Sequence, residues 1–256
     1  MTIQHEPINL RSRNSGLFNV TGVRVSIIGC GSIGSFTAST LARMGVRRFN
    51  LFDGDIVAPE NIGVQDFTIH QLDDYKVYAV KQNIISINPL AEVTAYNSNI
   101  NKDNPRRITT GIYSRNDDET GPPTDICVIA VDSMEARMEI AQHPSFRTVR
   151  TDNRQRHDEF CDNSYFFDAR MGSETFQLYK FKMPFSVDEY LKTWYSDEDG
   201  DPEPCNIKAT SYCSNMAGSL IVNAIRKIVT NSPYETFLTF NFPTMSIDKK
   251  TFVPTN

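Results

Sequence analysis

Apolar positions along this chain alternate between short continuous runs and stretches at helical spacing. Residues 23–28 are a β-branched apolar run ending at Gly29, the pattern of a strand buried on both faces of a parallel sheet. Residues 33–44 follow with Ile33, Phe36, Leu41 and Met44 at helical spacing, and Gly45 stands where such a helix stops. Residues 49–52 predict a second strand, ending at Asp53. A second helical period runs over 71–87 through Leu72, Val77, Val80, Ile84 and Ile87, closed by Asn88-Pro89, and 93–96 predicts a third strand. Residues 101–123 are polar and hold Pro105, Gly111, Pro122 and Pro123, the composition of a solvated loop. An apolar run at 126–131 and a helix over 133–142 continue the alternation.

The second half changes character. Residues 165–169 and 175–181 predict two strands joined by a turn at Met171-Gly172-Ser173, an antiparallel pair. A short helix is expected over 187–194, an acidic loop over 196–204, a long helix over 212–229 and a last strand over 236–242. Strands alternating with helices at this spacing predict an α/β fold: a doubly wound, mostly parallel Rossmann-like sheet with an antiparallel C-terminal extension. The expected organisation is a single domain over 1–256, with an N-terminal arm at 1–22, a nucleotide-binding core at 23–150 and the extension at 151–256.

Composition narrows the function classes. With 256 residues and 39% hydrophobic content, one sizeable core is within reach. The net charge of -5, without a basic patch, argues against nucleic acid as a partner. No apolar run approaches the roughly 20 residues that span a bilayer, and residues 1–10 lack a basic end and an apolar centre, so a cytoplasmic protein without a membrane partner is expected. Cys30, Cys127, Cys161, Cys205 and Cys213 are odd in number and widely spaced with no Cys-x-x-Cys pair, which predicts thiols and no structural zinc. His5, His70, His143 and His157 are scattered, without ligand spacing.

The candidate chemistry starts at Gly29-x-Gly31-x-x-Gly34, with Ser32 inside it, where a strand hands over to a helix. Free backbone N–H groups and the helix dipole can hold phosphate oxygens there, and absent side chains permit close approach. Asp53, 19 residues after Gly34, ends the next strand at the distance where a carboxylate accepts hydrogen bonds from ribose hydroxyls. An adenosine nucleotide follows, with NAD and ATP fitting equally well. The alternative is glycines that serve only tight packing and an aspartate that serves only its loop.

The residues around this fingerprint separate the two nucleotides. The stretch 26–48, then Leu51-Phe52-Asp53-Gly54-Asp55 and Pro59-Glu60-Asn61-Ile62, resembles the start of the ThiF/MoeB/HesA family of the ubiquitin-activating enzyme-like superfamily. Lys76 at the head of the second helix, Ile87-Asn88-Pro89 at its end, and Val131-Asp132-Ser133 with Arg137 extend the match. The resemblance covers about residues 11–141 well, and 168–172 and 205–228 more loosely. It implies ATP-dependent adenylation of the C-terminal carboxylate of a small protein or peptide. By position, Gly29, Gly31, Ser32 and Gly34 would cradle phosphates, and Asp53, Asp55, Asn61 and Gln65 would surround the ribose and phosphates. Lys76 would reach the phosphates, and Asp132 would bind Mg²⁺. The chemistry agrees, since charge developing on phosphate oxygens is stabilised by a metal ion and fixed cations.

Each assignment has a plainer counterpart. Lys76 could be an exposed helix lysine, Asp132 the N-cap of its helix, and Arg137 a surface partner of Glu135 or Glu139. The family's Asn-Leu-x-Arg-Gln signature becomes Asn61-Ile62-Gly63-Val64-Gln65 here, so Val64 stands where a phosphate-binding arginine is usual. The resemblance offers a replacement from a partner subunit's N-terminal segment, at Arg11 or Arg13, which implies a homodimer; the counterpart is a solvated arm. Cys205 is the candidate thiolate for acyl transfer, or else a structural thiol. Arg170, beside Gly172, is a candidate to lead in the substrate's carboxylate tail. Two other functions stay open: an NAD-dependent oxidoreductase on the fingerprint alone, and a non-catalytic nucleotide-binding adaptor suggested by Val64.

Overall fold

A computed structural model describes residues 10, 19–20, 22–100, 124–142, 164–183, 185–196 and 209–252. Its centre is an eight-stranded sheet in the order β3-β2-β1-β4-β5-β6-β7-β8. The strands β1 (Val23–Ile28), β2 (Arg48–Asp53), β3 (Glu92–Asn97), β4 (Thr124–Ile129) and β5 (Ser164–Met171) are mutually parallel. Antiparallel pairing then adds β6 (Thr175–Lys182), β7 (Tyr234–Asn241) and β8 (Ser246–Phe252). This is the α/β sheet with an antiparallel extension that the alternation predicts.

Both faces of the sheet are covered, which is why its central strands read as unbroken apolar runs. On one face Val25, Ile27, Leu51, Val128 and Phe167 pack beneath α1 (Ser32–Arg43), α2 (Lys76–Ile87) and a long helix, α5 (Ser211–Val229). On the other, Ile28, Phe52, Ile129 and Phe166 meet Ile140 of α3 (Met134–Ala141) and Tyr190 of α4 (Val187–Leu191). Arg24 of β1 makes a bidentate pair with Asp125 of β4, Nε to Oδ1 at 2.6 Å and Nη2 to Oδ2 at 2.8 Å. Gly45, at φ 89°, ends α1 as its sequence position predicts: Val46 N–H returns to Leu41 O and Gly45 N–H to Ala42 O.

Two elements depart from the sequence pattern. The second helix begins at Lys76 rather than near residue 71, because residues 73–76 run antiparallel to 55–57. Val57 N–H donates to Asp74 O at 2.8 Å, Asp73 N–H to Val57 O at 3.0 Å, and Lys76 N–H to Asp55 O at 2.9 Å. Asp73 takes φ 68° to make this turn, so Leu72 faces the core from outside the helix. The strand β8 has no apolar run to announce it, since Asp248, Lys249 and Lys250 occupy its middle; charge on an edge strand discourages pairing with other chains.

A register shift between Glu235 and Phe237 in β7 places Glu235 among buried neighbours, with Lys227 Nζ of α5 at 2.6 Å and Lys180 Nζ of β6 at 3.9 Å. The Lys180 ammonium makes no hydrogen bond among the described residues, and burial pulls its pKa down to about 8. The folded chain thus releases this proton near pH 8 while the unfolded chain holds it to about 10.4. Lys180 therefore lowers stability at neutral pH, and wild-type stability recovers as pH climbs through that window. Lys180→Met, which leaves Glu235 paired with Lys227, should gain about 1–3 kcal/mol at pH 7 in urea denaturation, with the advantage shrinking by pH 10. A gap that stays constant from pH 7 to 10 would contradict this account.

Candidate functional site

The strand order reverses at β1, which lies between β2 and β4, so a crevice opens beyond the carboxyl ends of β1 and β4. Gly29 closes its floor at φ 94°, donating its N–H to Phe52 O at 2.8 Å; a Cβ there would lie 2.6 Å from Ala130 O. A Cβ on Gly34 would lie 1.9 Å from Gly29 O, so α1 can sit this close to β1 only as glycine. Gly31 is the N-cap of α1 and supplies no side chain to its first N–H groups, which with Ser32 are left for an anion. Across Gly31 lies the amide of Gln65, within 3.7 Å of where a Cβ would be. Its Oε1 is enclosed and makes no hydrogen bond among the described residues. Ser35 holds this loop in place, donating to Gly31 O at 2.7 Å and accepting from Asp66 N–H at 3.0 Å.

Asp53 grips the glycine turn itself. Its Oδ2 accepts from Cys30 N–H at 2.7 Å and its Oδ1 from Asp55 N–H at 2.8 Å. Burial pushes its pKa up, against the opposing pull of those two N–H groups and of Lys76. Two bonds leave lone pairs on both oxygens for further donors. Lys76 is buried, not an exposed helix lysine, and its Nζ lies 2.9 Å from Asp55 Oδ2. The antiparallel contact of 55–57 with 73–76 brings this pair together. Asn61 Oδ1 accepts from Ala58 N–H at 2.9 Å and caps the turn Pro59–Asn61. Asn99, which no sequence pattern singled out, braces the same region by accepting from Gly54 N–H at 2.9 Å.

Opposite, Asp132 stands exposed just beyond β4. The N-cap of α3 is Ser133, whose Oγ accepts from Ala136 N–H at 3.2 Å, so capping does not account for Asp132. Arg137 is buried, not a surface residue: it donates to Asp168 Oδ1, to Ala169 O at 2.8 Å and to Val131 O. Arg170 is likewise no tail ligand. It is buried and committed to Asp168 Oδ2, Nε at 2.9 Å and Nη2 at 2.6 Å, and to Thr193 O, with Tyr179 under its guanidinium. Tyr190 Oη donates to the same Asp168 oxygen at 2.9 Å. Burial pushes the Asp168 carboxyl up, but Arg137 and Arg170 overcome it and hold the pKa below the usual value. The signal for this network was the alternation Phe166, Asp168, Arg170, which puts two charges on one face of an otherwise apolar strand. Arg11, Arg13 and Cys205 lie outside the described residues. Cys213 is core, and burial, then Asp53, raises the Cys30 thiol pKa, so neither is an activated nucleophile.

This donor set suits a nucleoside triphosphate: a glycine cradle at a helix start, an enclosed amide facing it, and a buried ammonium. For Mg²⁺ the described residues offer no cluster of three or more ligating side chains. A lone carboxylate such as Asp132 suits the mode in which the ion is shared with phosphate oxygens.

Ubiquitin-like modifier-activating enzyme 5 of Drosophila willistoni is 38% identical over 117 residues, 45% of this chain and 29% of that protein. The Gallus gallus enzyme is 38% identical over 121 residues. The chain thus spans under a third of the length of these curated relatives. Among solved structures, E. coli MccB with ATP superposes with TM-score 0.64 at 17% identity, covering 96% of this chain and 72% of MccB. PaaA superposes with TM-score 0.61 at 16% identity, covering 89% of this chain and 63% of its own. The model of the ThiF family matches residues 11–255, and the chain belongs to that family.

Proposed function

We propose that this chain binds ATP at the β1–β4 crevice and transfers its adenylyl group to the C-terminal carboxylate of a small protein or peptide. The observation that carries the reading is that the carboxyl end of the central strands carries the uncapped α1 N-terminus, the buried Lys76, whose charge acts on Cys30 and Asp53 of the glycine turn, and the exposed Asp132, next to Val131, which packs on Gly29. A carboxylate oxygen attacks the α-phosphorus and forms a new P–O bond. The bond to the bridging oxygen breaks, and pyrophosphate leaves with its electron pair. Negative charge grows on phosphate oxygens, where the α1 N–H groups and the Lys76 ammonium stabilise it. Asp132 would hold Mg²⁺, which when bound supplies further charge neutralisation. Asp53 keeps the glycine turn in shape through Cys30 N–H and offers its remaining lone pairs to the ribose. Support comes from the family membership and from MccB, whose structures hold ATP in one case and AMPCPP with MccA in another.

Val64 offers no cation, so Lys76 carries more of the phosphate charge than in relatives with an arginine there. Arg11 or Arg13 of a second copy would restore it in a homodimer, and Cys205 would take the acyl group as a thioester. The oxidoreductase alternative makes a different binding prediction. In calorimetry, ATP with Mg²⁺ should bind and NADH should not, and pyrophosphate should exchange into ATP once a peptide carboxylate is accepted. Binding of NADH without ATP would overturn adenylation; ATP binding with no exchange across a broad peptide panel would favour the adaptor. Among the described residues no helix is long and apolar enough to cross a membrane.

A further inference from the structure

Behind the crevice, Arg137 joins β5 to the corner that carries Asp132. Its Nη1 donates to Asp168 Oδ1 and to Ala169 O at 2.8 Å, and its Nη2 donates to the carbonyl of Val131, the residue before Asp132. The corner is fixed at other points too. Ala130 N–H donates to Ile28 O at 2.7 Å, Ser133 caps α3, and Trp194 Nε1 donates to Met134 O at 3.0 Å. Asp132 is exposed in the middle of this clamped backbone. A carboxylate so mounted gives up little freedom when it takes a ligand.

The network is an expensive way to fill space. Asp168 is fully buried and accepts from Arg137, Arg170 and Tyr190, which leaves it out of reach of any ligand. Hydrophobic side chains of like volume would stabilise this interior at least as well. What they could not do is hold the guanidinium plane of Arg137 so that one fork meets β5 and the Val131 carbonyl together.

We infer that Arg137, oriented by Asp168, is a positioning residue that fixes the Val131 carbonyl and thereby aims the Asp132 carboxylate at a divalent cation carried by the nucleotide phosphates. The inference rests on the ATP-binding reading above. Lysine at 137 keeps the charge opposite Asp168 but, as a point donor, cannot span Asp168, Ala169 O and Val131 O at once. Asparagine at 168 keeps the shape and removes the charge that orients the guanidinium.

The test is calorimetric titration of the full chain with AMPCPP, once in EDTA and once with Mn²⁺, so that the metal-dependent gain in affinity is read without turnover. Folding is checked by melting and by emission of Trp194, the single tryptophan, which sits on the start of α3. Arg137→Lys and Asp168→Asn should bind AMPCPP in EDTA within about threefold of wild type and lose about 10- to 100-fold of the Mn²⁺-dependent gain, the usual effect of removing a support behind a metal ligand. The double variant should lose no more than the worse single, because both act through one network. A folded variant of either kind that keeps the full gain overturns the inference, as does failure of both to fold, which would make the network a requirement of the fold alone. If wild type itself shows no affinity for AMPCPP, it is the ATP-binding reading that fails, and the inference goes with it.

Discussion

Asp132→Asn should cut pyrophosphate–ATP exchange by about 10²–10³-fold while moving unfolding free energy by no more than about 0.5 kcal/mol. The expectation of unchanged stability comes from placement. Asp132 is exposed, Ser133 has the capping role, and no described residue bonds the Asp132 side chain. The expectation of a large kinetic loss comes from charge. Asparagine keeps the size and offers an oxygen, but it cannot neutralise a cation shared with phosphates whose charge grows in the transition state. The measurement is isotope exchange on an accepted peptide beside a urea denaturation curve. Exchange within threefold of wild type would remove Asp132 from the chemistry, and a stability loss above about 1 kcal/mol would show that it supports the fold after all.

Gly34→Ala should cost several kcal/mol and abolish nucleotide binding, whereas Gly31→Ala should spare the fold. A methyl group on Gly34 would sit 1.9 Å from the Gly29 carbonyl, and both partners are backbone, so no side chain can swing aside. Gly29 cannot retreat either, since the backbone of Ala130 and Val131 is packed against it. The substitution gains about 1 kcal/mol of helix propensity, too little to offset driving α1 off β1. At Gly31 the nearest described atoms to the same methyl are those of the Gln65 amide, at ordinary contact distance, 3.7 Å, and its φ of -80° lies outside the left-handed region that favours glycine. Stability should fall there by about 1 kcal/mol at most, the loss of a tolerable cap. Nucleotide affinity should fall at least tenfold, because the methyl enters the space where phosphate oxygens approach the helix start. Urea denaturation paired with ATP calorimetry separates these outcomes; equal stability losses at the two positions would refute the division of roles between the glycines.

How much of this was legible in the sequence depended on how local the cause was. The glycine turn, α1 with its Gly45 stop, and the apolar runs of β1, β4 and β5 follow from short-range pattern, and the sheet builds directly on them. The start of α2 did not, because the backbone of 73–76 pairs with 55–57 some twenty residues earlier, and helical spacing at Leu72 cannot reveal a competing partner. The strand β8 was hidden by the charges that protect its edge. Lys76 was placed correctly at a helix head, but its burial and its bond to Asp55 depend on that same distant pairing. Arg137 and Arg170 read as surface residues or ligands because their common partner, Asp168, meets them only after β4, β5 and α3 have assembled.

The bidentate pair of Arg24 with Asp125 has a kinetic consequence. It ties residues 101 positions apart, and the crevice has no second wall until β4 has docked beside β1. Closing so long a loop is slow in entropic terms and parallel pairing gives no short hairpin to nucleate it. In a refolding experiment, competence to take up nucleotide should therefore lag the helical circular-dichroism signal, and a ligand that bridges the two strand ends should hold the assembled crevice against reopening.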